Sequence, residues 1–113
     1  MKYVVAILQP DRLNDVLDEF ENREIHLVTV TQVMGRGRQR GVAEVYRGHK
    51  EAGSLLRKVR IEVAVNDDYL ERCVDAIVAG GQTGSIGDGK IFVMEMADCI
   101  RIRTKERGPD AIG

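Results

Sequence analysis

The chain has 113 residues, 43% hydrophobic and 31% charged, with a formal net charge of −1. That length fits one domain, and that balance describes a globular chain rather than a disordered one. The lack of a basic excess argues against a nucleic-acid or membrane-surface binder. Aromatics at 4% with no Trp leave no stacking platform for single strands.

The N-terminus carries one Lys and an apolar run that stops at Pro10, too short for a signal peptide. No stretch reaches membrane-spanning length, so a cytoplasmic chain is expected. Residues 3–8 are a continuous apolar run rich in β-branched side chains and predict a buried strand. Leu13, Val16, Leu17 and Phe20 then recur at helical spacing, with Asp11 as the expected N-cap. Residues 25–34, rich in Val, Ile and Thr, predict a second strand.

The order then repeats. Val59, Ile61, Val63 and Val65 alternate with Lys58, Arg60, Glu62 and Ala64, a strand with one dry and one wet face. Asp67 and Asp68 at the following helix start are expected to cap it rather than act as paired catalytic carboxylates. Leu70, Cys73, Val74 and Ile77 give that helix its spacing, and Gly80-Gly81 is expected to stop it. Residues 91–96 predict a fourth strand. Cys73 and Cys99 form no CxxC pair and sit in apolar patterns, as small buried hydrophobes do.

Two strand–helix–strand units in one small domain predict a ferredoxin-like βαββαβ sandwich of the α+β class. It has an antiparallel sheet with two helices on one face. The other face would be left apolar, which predicts self-association. Residues 35–57 exceed any hairpin loop and read as a long loop built to meet something else.

Three motifs can carry chemistry. Thr83-Gly84-Ser85-Ile86-Gly87-Asp88-Gly89-Lys90 either cradles an anion with backbone N–H groups and Lys90, or is a plain glycine-rich turn. It matches GxxxxGK, but Ile91 and a strand follow where a P-loop needs Ser or Thr and a helix. Arg101 and Arg103, two apart in an extended chain, would face one way as a phosphate clamp or lie on a solvated face. GRGRQRG from Gly35 departs from GxGxxG by one place. No metal-ligand or triad spacing stands out around His26 or His49.

Together these motifs resemble the PII signal-transduction family, the GlnB/GlnK-type nitrogen regulators. TGSIGDGKIFV matches its C-terminal signature, GRGRQRG with AEVYRG the start of its T-loop, VRIEVAVNDD its third strand, and IRIRT its nucleotide clamp. The resemblance implies a single domain over 1–113, with a mobile T-loop at 35–57, a phosphate loop at 82–90 and a C-terminal strand and tail at 100–113. It implies a non-enzymatic homotrimer that binds ATP or ADP in clefts between subunits. Ile7, Thr29, Gly35, Gly37, Arg38, Glu62, Ala64, Gly87, Asp88, Gly89 and Lys90 match nucleotide contacts. Arg101 and Arg103 match the clamp that reaches across the subunit boundary. It further implies 2-oxoglutarate as an effector, held with Mg²⁺-ATP by Gln39, Gly41, Lys58 and Gly87. Gln39 would be the metal ligand.

The resemblance also implies a T-loop target, an ammonium transporter or a metabolic enzyme, with membrane contact only through such a transporter and no nucleic acid. Glu51 stands where many members carry the uridylylated tyrosine, and His49 where some carry a phosphorylated serine. Gln9 stands where Lys or Arg is usual, Ser85 for a common Lys, Arg36 for a common Phe and Ala64 for a common Val. Rival readings are a PII-like sensor of ADP or AMP tuned to bicarbonate, an RNA-binding module using GRGRQRG, and a small nucleotide-hydrolysing enzyme.

Overall fold

The computed structural model describes residues 1–37 and 55–113. Strand β1 (Lys2–Leu8) leads through a 3-10 turn (Pro10–Arg12) into helix α1 (Leu13–Asn22) and strand β2 (Thr29–Gly35). Strand β3 (Leu56–Val65), a second 3-10 turn (Asp67–Tyr69), helix α2 (Leu70–Gly81) and strand β4 (Gly89–Glu95) repeat the order. A one-turn helix α3 (Pro109–Ile112) follows. All three sheet pairings are antiparallel, in the order β2-β3-β1-β4. This is the expected ferredoxin-like sandwich.

The period-2 alternation of strand side chains decides where the core sits. Val4, Ala6 and Leu8 of β1 and Val59, Ile61, Val63 and Val65 of β3 point to one face. They pack there on Val16 and Phe20 of α1 and on Cys73, Ala76 and Ile77 of α2. Burying each large apolar side chain contributes about 1.5–3 kcal/mol. Both helices therefore lie on one face, as expected.

Several local expectations are corrected. The second strand begins at Thr29, not at residue 25. Glu24 takes a left-handed φ of 63°, and the Ile25 N–H closes α1 by donating to Phe20 O at 2.8 Å. Ile25 is thus spent on a helix C-terminus, with a non-glycine residue at the left-handed position. Asp11 is not an N-cap: Pro10 opens a 3-10 turn after an extended Gln9, and no side chain caps it. Asp67 is not a cap either. It accepts from the N-terminal ammonium at 2.7 Å and sits 3.4 Å from Lys2 Nζ.

Gly80 and Gly81 are the last two residues of α2, which ends where the glycine pair was expected to stop it, and both are buried against α1. Residues 100–113 form no strand beyond an isolated Ile100–Arg107 bridge. Lys105 turns the chain there with a φ of 63°. The second sheet face is mixed rather than apolar: Tyr3, Ile7, Phe92 and Met94 flank a central Arg60–Glu62 ion pair at 2.9 Å. Cys73 is fully buried and Cys99 only half-buried.

Candidate functional site

The loop between α2 and β4 is built around one carboxylate. Asp88 accepts from the N–H of Thr83 at 2.7 Å, from the N–H of Gly84 at 2.9 Å, and from the Thr83 hydroxyl. The Thr83 hydroxyl bond and then the Thr83 N–H bond hold the Asp88 carboxyl below the usual carboxylate range. The Ser85 N–H donates to Thr83 Oγ1 at 3.2 Å. The amides of residues 83–85 therefore serve the loop itself. Gly84 and Gly87 take φ of 88° and 103°, which side chains resist.

Gln9 fastens this loop to the end of β1, its Nε2 donating to Gly87 O at 2.8 Å. Beyond that bond, Ile7 pairs with Lys90, and Val33 with Lys58. The result is a cleft of about 590 Å³ at one end of the second sheet face. Ile7, Gly35, Gly37, Lys58, Gly87, Gly89 and Lys90, all expected in the site, line it together. Arg36, Ile86 and Phe92 complete it, and no carboxylate is among its described lining residues. Three cations around an apolar wall suit an anion with an apolar body.

The other expected residues lie elsewhere. Thr29 and Glu62 face each other across β2 and β3, with Ala64 two residues on along the same face. Glu62 is engaged by Arg60, whose Nε donates at 3.0 Å. Burial, then a hydrogen bond with Glu62, raises the pKa of the neighbouring Tyr3. Arg101 and Arg103 lie at the far end of the sheet. The C-terminal segment is fastened there by Asn66 Nδ2 donating to Pro109 O at 3.2 Å. Because Lys2 pairs with Val65 and Leu8 with Gly89, the seven residues of β1 separate the two ends. At about 3.3 Å per residue the strand is roughly 20 Å long. Arg38, Gln39 and Gly41 lie outside the described residues, as do all the long-loop residues from 38 to 54.

Sequence reasoning missed the Gln9–Gly87 bond, the Asp88 knot and the Arg60–Glu62 pair. A Thr and an Asp five apart around two glycines carried a signal for the knot, since short polar side chains readily bond nearby amides.

Sheet order, helix placement and the glycine loop define an α+β domain with a cationic cleft at one sheet end. The sequence matches the family described as Nitrogen regulatory protein P-II over residues 1–106. It is 46% identical over 114 residues to Nitrogen regulatory protein GlnK1 of Methanosarcina mazei, covering 99% of this chain and 97% of that protein. It is 48% identical over 112 residues to Nitrogen regulatory protein P-II 1 of Escherichia coli K12, covering 99% and 100%. The fold superposes on the crystal structure of Arabidopsis thaliana PII bound to citrate with a TM-score of 0.78 and 35% identity, over 97% of this chain and 87% of that one. The chain belongs to the P-II nitrogen regulatory protein family, as its motifs led us to expect. Among the described residues no helix is long and apolar enough to cross a membrane.

Proposed function

We propose that this chain is a cytoplasmic, homotrimeric, non-enzymatic sensor of ATP and ADP that also binds 2-oxoglutarate. In this reading it regulates a partner in nitrogen metabolism, an ammonium transporter or a metabolic enzyme, through the T-loop at 35–57. The observation that carries the reading is the cleft, where seven expected residues meet around Lys58 and Lys90. Polyphosphate suits Lys90 and the glycine loop, since charge-assisted hydrogen bonds are the strong ones. Thr29, Glu62 and Ala64 serve the nucleotide from further along the sheet face, and Arg101 and Arg103 from a neighbouring copy. The length of β1, roughly 20 Å between the two ends of the sheet, supports that assignment.

Magnesium is a hard, oxygen-seeking ion. With no carboxylate in the described cleft lining, it would come with the nucleotide, held by phosphate oxygens and Gln39. The 2-oxoglutarate carboxylates would then meet Lys58, with Gly41 and Gly87 close by. The Arabidopsis relative bound to citrate shows that a member of the family takes a polycarboxylate.

Titration calorimetry tests this reading with ATP, ADP and AMP, each with and without Mg²⁺ and 2-oxoglutarate. ATP and ADP should compete for one class of site, and 2-oxoglutarate should bind only with Mg²⁺-ATP. Equal 2-oxoglutarate binding without nucleotide, or no heat with ATP, contradicts it.

A further inference from the structure

Arg101 is held by its own chain. Its Nη1 donates to Glu106 Oε1 at 2.9 Å, and its Nη2 to the carbonyls of Asp110 and Ala111 at 3.3 and 3.4 Å. Glu106 is fixed in turn, accepting from the Thr104 hydroxyl at 2.7 Å and donating its N–H to Thr104 Oγ1 at 3.2 Å. The main chain closes the same turn: Arg101 N–H donates to Glu106 O at 2.9 Å, and Lys105 N–H to Arg101 O at 2.8 Å. A guanidinium carries five donors in one rigid plane. Three are used here, so the plane is fixed, while the Nε donor and one Nη1 donor have no partner among the described residues.

We propose that Glu106 is a positioning residue for nucleotide binding, setting the plane of Arg101 so that its two open donors meet phosphate oxygens. This rests on the nucleotide reading above. Two effects of Glu106 oppose each other. Its charge repels an arriving phosphate, while its oxygen removes rotamer freedom that the ligand would otherwise have to remove. Exposure decides between them. The side chains of Arg101 and Glu106 are 35% and 45% exposed, so solvent and salt screen the charge, whereas the bond to the acceptor is the one that holds Nη1 while the Asp110 and Ala111 carbonyls hold Nη2.

The test titrates ATP and adenosine into the trimer carrying the native residue, Glu106→Gln or Glu106→Ala. Gln keeps an acceptor oxygen without the charge, and adenosine has no phosphate for Arg101 to hold. Glu106→Ala should weaken ATP roughly three- to tenfold, with Glu106→Gln within about twofold of native and adenosine the same throughout. Unchanged or tighter ATP binding in Glu106→Ala overturns the proposal. So does a Gln variant as weak as the Ala variant, or an equal loss of ATP and adenosine, which marks a folding effect. No ATP binding by the native protein overturns the nucleotide reading itself, and this inference with it.

Discussion

Gly89 sits against the main chain of Ile7 so closely that a methyl group on it would fall 1.8 Å from the Ile7 carbonyl oxygen. The obstacle is backbone, which cannot rotate aside, and Gly89 also holds a φ of 110°. This contact joins the end of the glycine loop to β1, next to the Ile7–Lys90 pair that lines the cleft. Gly89→Ala should destabilise the fold by about 1–3 kcal/mol and weaken ATP binding. Urea unfolding and calorimetry measure both, and an unshifted midpoint would show that the loop can move away.

Gly80 plays the matching part between the helices. A methyl group there would lie 2.6 Å from Val16 Cα and 2.8 Å from the Asp15 carbonyl carbon. Alanine gains about 0.5–1 kcal/mol of intrinsic helix preference. Forcing α1 and α2 apart costs about 1–3 kcal/mol. Gly80→Ala should therefore lower the thermal midpoint while leaving ATP affinity near native in the folded fraction. A raised midpoint would mean that the helices separate freely.

These two glycines show how far the sequence could be read. Alternation from Val59 to Val65 revealed the central strand, because one dry face imposes a strict period on side chains. The Gly80-Gly81 pair read as a stop because glycine commonly ends helices, and α2 does end at Gly81, but only the approach of α1 shows why Gly80 must lack a side chain. Glu24 hid the true end of α1, since a left-handed residue there is usually glycine. Local spacing left the glycine loop and its Lys90 as either an anion cradle or a plain turn, and placed Lys90 at the start of β4, where the structure has it. The Asp88 knot and the Arg101–Glu106 pair were not legible, because each depends on how a turn folds a side chain back onto its own segment. The separation of Arg101 from Lys90 follows from strand register, which no local motif carries.

The Asp88 knot predicts a pH response. Hydrogen bonds from the Thr83 hydroxyl and amide lower its pKa in the folded protein. A lowered carboxyl pKa means that the carboxylate contributes order above its unfolded value of about 3.9 and loses it as pH falls through the folded value. The loop should stay closed through neutral pH and open below about pH 4. Amide exchange at Thr83 and Gly84 measures this, and Asp88→Ala should show fast exchange already at pH 7. Slow exchange in that variant would sink the knot.

Cys73 is fully buried between the helices and the sheet, and burial pushes its thiol up to about 11. The neutral thiol is favoured in the folded state, so its contribution is complete below the unfolded value near 8.5 and is lost as pH rises through about 11. A thiol reagent at pH 7 should label Cys73 only after denaturant is added. Rapid labelling of Cys73 in the native protein would show that this core opens.

The most direct test of the proposed sharing of a nucleotide between subunits uses mixed oligomers of two variants. Lys90→Ala removes one cation of the cleft, and Arg103→Ala removes one from the segment at the other end of the sheet. Each variant alone should bind ATP about tenfold or more weakly. Where a site takes Lys90 from one chain and Arg103 from another, co-expression of the two variants assembles some sites with both residues native. Those sites should recover native ATP affinity in a calorimetric titration. If each site were built within one chain, mixing would restore none, and mixed oligomers that bind no better than either variant would contradict a nucleotide shared between copies.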